Sequence, residues 1–168
     1  MSIADHLVPE FDHEMASTRI LLERLPEVQG GWKPHPKSFS LGELAVHIAG
    51  IPAYCTFIAR QTELDINPPG GSSFPKIPFT STSALLNLFD DNVRDGRAAL
   101  GAVSDSGMME LWSLKNAGNV IFAMPRIAVF RTMVLSHLIH HRGQMTVYAR
   151  MHNVPLPAIY GPSADTPM

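Results

Sequence analysis

Proline and glycine divide this chain more sharply than any other feature. Breaker-rich stretches run from Pro26 to Pro36, from Asn67 to Pro78 and from Pro155 onward, and the segments between them are mostly helix-length and apolar at helical spacing. Helices of this kind bury their apolar faces by packing on one another. The spacing predicts a first helix over residues 3–25, with Ile3, Leu7, Phe11, Thr18, Leu22 and Leu25 near one face and Pro9 as a kink or a later start. Ser40-Leu41-Gly42-Glu43 has the capping-box pattern and opens a second helix over 41–62, kinked at Pro52, with Leu44, Ile48, Ile51, Cys55 and Ile58 as its stripe. A third helix is expected over 82–101, carrying Leu85, Phe89, Val93 and Leu100 and stopping near Gly101. The fourth, over 126–152, follows Pro125 and is striped by Ile127, Phe130, Val134, Leu138, Met145 and Tyr148. Residues 107–124 fit either a small hairpin or an irregular crossover, and the tail from Pro155 to Met168 is expected to be extended. The expected fold class is all-α, a four-helix bundle, with residues 1–168 forming one domain.

Composition narrows the function classes. A formal net charge of -2 without a long basic or acidic run offers no electrostatic footprint for nucleic acid or for a charged membrane surface. The single cysteine, Cys55, excludes an internal disulfide and is expected to be packed rather than reactive. Met1-Ser2-Ile3-Ala4-Asp5-His6 lacks a signal pattern, and no uninterrupted apolar run approaches the roughly 18 residues a membrane span needs, so the expected location is the cytoplasm.

The eight histidines carry the chemistry. His137 and His141 are four residues apart in the fourth helix, which puts them about 40° apart on one face. That face should bury leucines, and an imidazole there needs a hydrogen bond, a carboxylate or a metal to offset its burial. His47 lies on the core side of the second helix beside Leu44, Ile48 and Ile51. Three convergent histidines with an open fourth position resemble catalytic zinc sites more than closed structural ones, and imidazole also suits nickel, iron and copper. One divalent ion on His47, His137 and His141 is therefore expected, with its identity open. His140 points away from the stripe, and His6, His13, His35 and His152 read as surface or loop residues.

The flanking polar residues are less telling. Glu10 and Glu14 lie near the apolar edge of the first helix; a solvated face is the simpler explanation, orientation of a ligating histidine or base chemistry the other. Gln144 falls about 20° from His137 on the helical wheel, beside the expected site. Arg142 points to the other side, toward an ion pair or a dimer contact. Ala128, Leu135, Ile139 and Thr146 form a second apolar strip that suits another helix or a second subunit. No residue stands out as a catalytic group.

The run His137-Leu138-Ile139-His140-His141-Arg142-Gly143-Gln144-Met145 resembles the H-x-x-x-H-R-x-Q signature of the DinB/YfiT-like family. Trp32 to Ser38 with Leu41 to Ala49 resembles that family's second-helix region, and Leu156 to Asp165 resembles its tail. The resemblance implies an up-down-down-up bundle, often a homodimer, with His47, His137 and His141 as the metal ligands. It implies thiol-dependent transferase or isomerase chemistry, with mycothiol or bacillithiol as the thiol in some relatives, while many relatives have no assigned reaction. Two readings follow: a metal-dependent enzyme taking a small thiol or another small molecule, and a non-catalytic metal-stabilised bundle serving as a stress-response or binding module. An open pocket beside the metal favours the first; a closed site with a fourth protein ligand favours the second.

Overall fold

The structure is a computed structural model describing residues 1–74 and 76–166; Pro75 of the second breaker stretch and Pro167 and Met168 of the tail lie outside the described residues. Helix α1 (Ile3–Glu23) starts on a reciprocal cap, in which the Ser2 hydroxyl accepts the Asp5 amide and the Asp5 carboxylate accepts the Ser2 amide. It runs through Pro9 without ending there. Helix α2 (Leu41–Gly50) opens on the expected box between Ser40 and Glu43. At Pro52 the chain tightens into a 3-10 turn (Ile51–Ala53) and resumes as α3 (Tyr54–Arg60), which realises the expected kink. All five stripe residues of this stretch are buried. Helix α4 (Thr82–Gly101) crosses the kink closely: a Cβ at Gly96 would stand 2.5 Å from the Pro52 carbonyl oxygen, so only glycine fits.

After the short helix α5 (Asp105–Met109), the chain forms β2 (Leu111–Asn116) and β3 (Asn119–Pro125), an antiparallel hairpin. Its turn places Ala117 at φ 49 and Gly118 at φ 79, the left-handed pair that two-residue hairpins use. The Asp65 carboxylate accepts both turn amides. Strand β1 (Glu63–Asp65) adds to the hairpin in parallel, in the order β1-β2-β3. The strict all-α expectation is thus corrected: a mostly helical fold carries a three-stranded sheet, and residues 107–124 hold the hairpin. The chain then continues through α6 (Arg126–Val129), a π-helical segment (Phe130–Ser136) and α7 (His137–Met151).

Helix α4 packs along α1, α2 and α3, while α7 packs on α2 and α1, so four helical columns share one core. The stretch Leu41–Arg60 has the length and composition to cross a membrane, although Glu43 and His47 interrupt its apolar run; more than half of it is buried, as in a core helix. Of the second strip on the fourth column, one residue packs within the chain. Leu135 is only 4% exposed and belongs to the chain's own core, while Ala128, Ile139 and Thr146 are half-buried. The π-helical segment absorbs an extra residue, so a 3.6-residue wheel drawn through it loses phase.

Candidate metal centre

Helices α2 and α7 bring His47, His137 and His141 together, with one ring nitrogen from each within 4.8 Å of the others. The Nε2 atoms of His47 and His137 are 3.1 Å apart. Nitrogen atoms bound tetrahedrally to a zinc-sized ion sit about 3.3 Å apart, so this cluster needs little adjustment to hold one. The outer nitrogens are already engaged. The Nδ1 of His141 lies 2.7 Å from the Gln144 side-chain oxygen, and the Nδ1 of His137 lies 3.2 Å from the Met133 carbonyl. The His137 amide itself donates to the Val134 carbonyl at the end of the π-helical segment, not to that of Met133. A neutral imidazole donating Nδ1–H outward keeps its Nε2 lone pair for a cation.

Electrostatics favour the same state. Burial, and then the neighbouring His141 and His137, push His47 down to about 4. Burial and His141 lower His137, partly opposed by the Met133 carbonyl; burial lowers His141, partly opposed by Gln144. All three rings therefore favour the neutral form that a metal requires. Among the described residues the cluster contains these three side chains and no fourth.

Two aromatic rings flank the cluster. Phe39 lies 5.6 Å from the His47 ring and 6.5 Å from that of His141, while Tyr54 stacks on His137 at 6.3 Å. Burial raises the Tyr54 phenol, which therefore stays protonated at neutral pH. His47, Phe39 and Tyr54 form part of the wall of a cleft of about 1150 Å³.

Two solved structures have this architecture. The crystal structure of a DinB-like protein from Bacillus cereus ATCC 10987 matches 95% of this chain and 98% of its own, with a TM-score of 0.69 and 21% identity. The DinB-like protein YjoA of Bacillus subtilis matches 90% of this chain and 95% of its own, at 0.67 and 18%. The chain has the DinB-like fold. In sequence it is 26% identical to the uncharacterized protein YrdA of Bacillus subtilis strain 168 over 164 residues, 96% of this chain and 90% of that protein. No family model matches.

Within this DinB-like fold the other polar residues find distinct places. His140 is exposed beside His141 and stays off the cluster. Gln144 sits beside the site as expected. Glu10 pairs with Arg131 at 3.0 Å. For Glu14 the solvated-face expectation is overturned. It is 5% exposed and binds Arg142, itself 1% exposed, at 2.6 Å. Arg142 also donates to the Glu14 carbonyl and to Thr18, and Tyr160 Oη donates to the Glu14 carboxylate at 2.8 Å. Arg142 thus makes the ion pair of its two expected roles. His13, His6 and His35 are exposed, and His152 lies in the turn after α7, half-buried, with its ring 4.5 Å from that of Trp32 and its Nε2 buried. Cys55 is buried, which pushes its thiol up to about 12 and leaves it unreactive. Sequence reasoning missed Tyr54, Phe39 and Tyr160. Tyr54 sits seven residues after His47, two helical turns on, and that spacing was the available signal.

Proposed function

We propose that this chain is a metal-dependent enzyme of the DinB-like type, holding one divalent ion, zinc, nickel or iron, on His47, His137 and His141. The observation that carries the reading is the convergence of three neutral imidazoles, two of them oriented from behind, beside an open cleft. A fourth protein ligand would have favoured a closed structural site, and none stands with the three among the described residues. This supports the enzyme over the stress-response or binding module.

A divalent ion here would lower the pKa of a coordinated water or thiol and so supply a nucleophile near neutral pH. The protein's own part is positional. Gln144 and the Met133 carbonyl fix the tautomers of His141 and His137. Phe39 and Tyr54 restrict water on two sides, and the protonated Tyr54 hydroxyl can donate to a substrate oxygen in the cleft. A small thiol is the co-substrate the reading takes, with group transfer or isomerisation as the reaction class and hydrolysis as its neighbour. The same reading carries an up-down-down-up order of the helical columns, a homodimer and a cytoplasmic location.

The test begins with metal analysis of protein from its native source. One equivalent of a divalent ion is expected. Cobalt-loaded protein titrated with small thiols should then show a saturable change in its visible spectrum. No stoichiometric ion under any loading condition would refute the site; a cobalt spectrum indifferent to every thiol would move the reading to the non-catalytic module.

A further inference from the structure

We infer that the cleft beside His47 binds an uncharged, aromatic small molecule, whose reacting end is delivered to the histidine cluster; this rests on the metal-dependent reading above. The floor of the cleft is one face of the α2–α3 stretch. Val46, His47, Gly50, Ala53, Tyr54 and Phe57 line it at spacings of three and four residues, so they stack along successive turns. The row begins at a histidine of the cluster and proceeds through small residues to two aromatic rings. The loop after β1 closes that end of the row: the Phe74 ring packs edge-to-face on Tyr54 at 5.4 Å and on Phe57 at 6.0 Å. The three rings together line the cleft, and an aromatic surface of this kind suits a flat π system.

Three further observations define the occupant. The volume, about 1150 Å³, lies just above the roughly 300–1,000 Å³ of most small-molecule sites, so a single small molecule fits with room beside it. The two carboxylates on the wall are engaged within the chain: Glu27 accepts the Thr82 amide, and Glu43 accepts the Ser40 amide and pairs with Lys33. Lys76 at the wall is exposed to solvent. The rim is apolar, with Val28 91%, Phe39 48% and Ile77 50% exposed. Gly50 supplies the depth. It sits one turn beyond His47 in a helix, where alanine would be the more stable residue, and a Cβ there would meet nothing within 4 Å.

The test uses the full chain, metal-free and cobalt-loaded. Uncharged anilinonaphthalene should bind wild type at one equivalent with enhanced fluorescence. Gly50→Phe, which fills the slot from an open position, should weaken that binding at least about ten-fold while cobalt stoichiometry is kept. Ile77→Asp, at an exposed rim position that leaves folding alone, should weaken it about three-fold or more. In the cobalt-loaded protein, naphthalenethiol should half-saturate the spectral change at a concentration at least about ten-fold below mercaptoethanol, and Gly50→Phe should erase that advantage. Binding that is absent in wild type, or unchanged in both variants, overturns the inference. So does a preference for the sulfonated anilinonaphthalene over the uncharged one. If cobalt is taken up but the aromatic thiol has no advantage, the cleft inference falls and the metal reading stands. If no cobalt is taken up but Gly50→Phe still abolishes probe binding, the aromatic cleft stands and the metal reading falls.

Discussion

His141 and Arg142 are neighbours in one helix, yet they face environments built on opposite rules. On the side of Arg142 every charge has its counterpart: the guanidinium meets Glu14 and Thr18, and Tyr160 closes the group from the tail. On the side of His141 the partners stand only behind the rings, and the three inner nitrogens face one another. Both clusters are polar groups withdrawn from water. What separates them is completeness. A buried group whose bonding capacity is met from within the chain is part of the architecture, while one left with converging lone pairs has a place for something else.

The strongest way to break this contrast is to disturb the satisfied side. Glu14→Leu should cost about 3–5 kcal/mol in urea unfolding, because Arg142 would stay buried without its counter-ion. Glu14→Leu combined with Arg142→Met should recover most of that loss. A single variant within about 1 kcal/mol of wild type would show that the pair is not the fixed architecture described here.

On the unsatisfied side the expected effects fall on the ion. His141→Ala should lower metal affinity on the order of a hundred-fold or more, with little change in the unfolding of metal-free protein. His140→Ala should leave metal content unchanged, and equal losses in the two variants would erase the distinction between them. Gln144→Ala removes only a partner behind the ring, so a reduction of about ten-fold is expected by competition with a chelator.

A separate effect, seen only in acid, is on stability. The folded-state value of His47, about 4, lies below its ordinary 6.5, so the unfolded chain binds more protons between those limits. Metal-free protein should therefore carry no penalty from His47 above about pH 6.5 and lose stability progressively as the pH falls toward 4. His47→Leu should flatten that part of the pH dependence; an unchanged profile would mean that His47 does not titrate as its burial requires.

The sequence made local features legible. Both capping boxes were written in consecutive residues, although only that of Ser40 was read, and the Pro52 kink and the pair His137 and His141 needed nothing beyond helical geometry. What escaped was set by distance. Strand β1 has three residues and finds its partner at Ser113 to Lys115, so no run of alternation announces it. Glu14 looked like a surface carboxylate because its cation comes from the far end of the chain. The cleft was invisible for the same reason: its floor is periodic, but one end of it is closed by a loop rich in breakers. The third histidine was placed by its stripe, and the resemblance to DinB-like sequences then singled it out.

The π-helical segment between Phe130 and Ser136 has a consequence for how this protein tolerates change in length. Deleting one residue from an ordinary helix turns everything downstream by about 100°, which here would swing the histidines off α2 and Arg142 off α1 together. Within Phe130–Ser136 the helix already carries a surplus residue, so a deletion at exposed Thr132 can be taken up by relaxation to α geometry, with both faces of α7 still aimed where they were. The column has slack at one point and none elsewhere. Relatives of different length should keep their indels at that joint, and a deletion scan along 126–151 should find its one permissive window there.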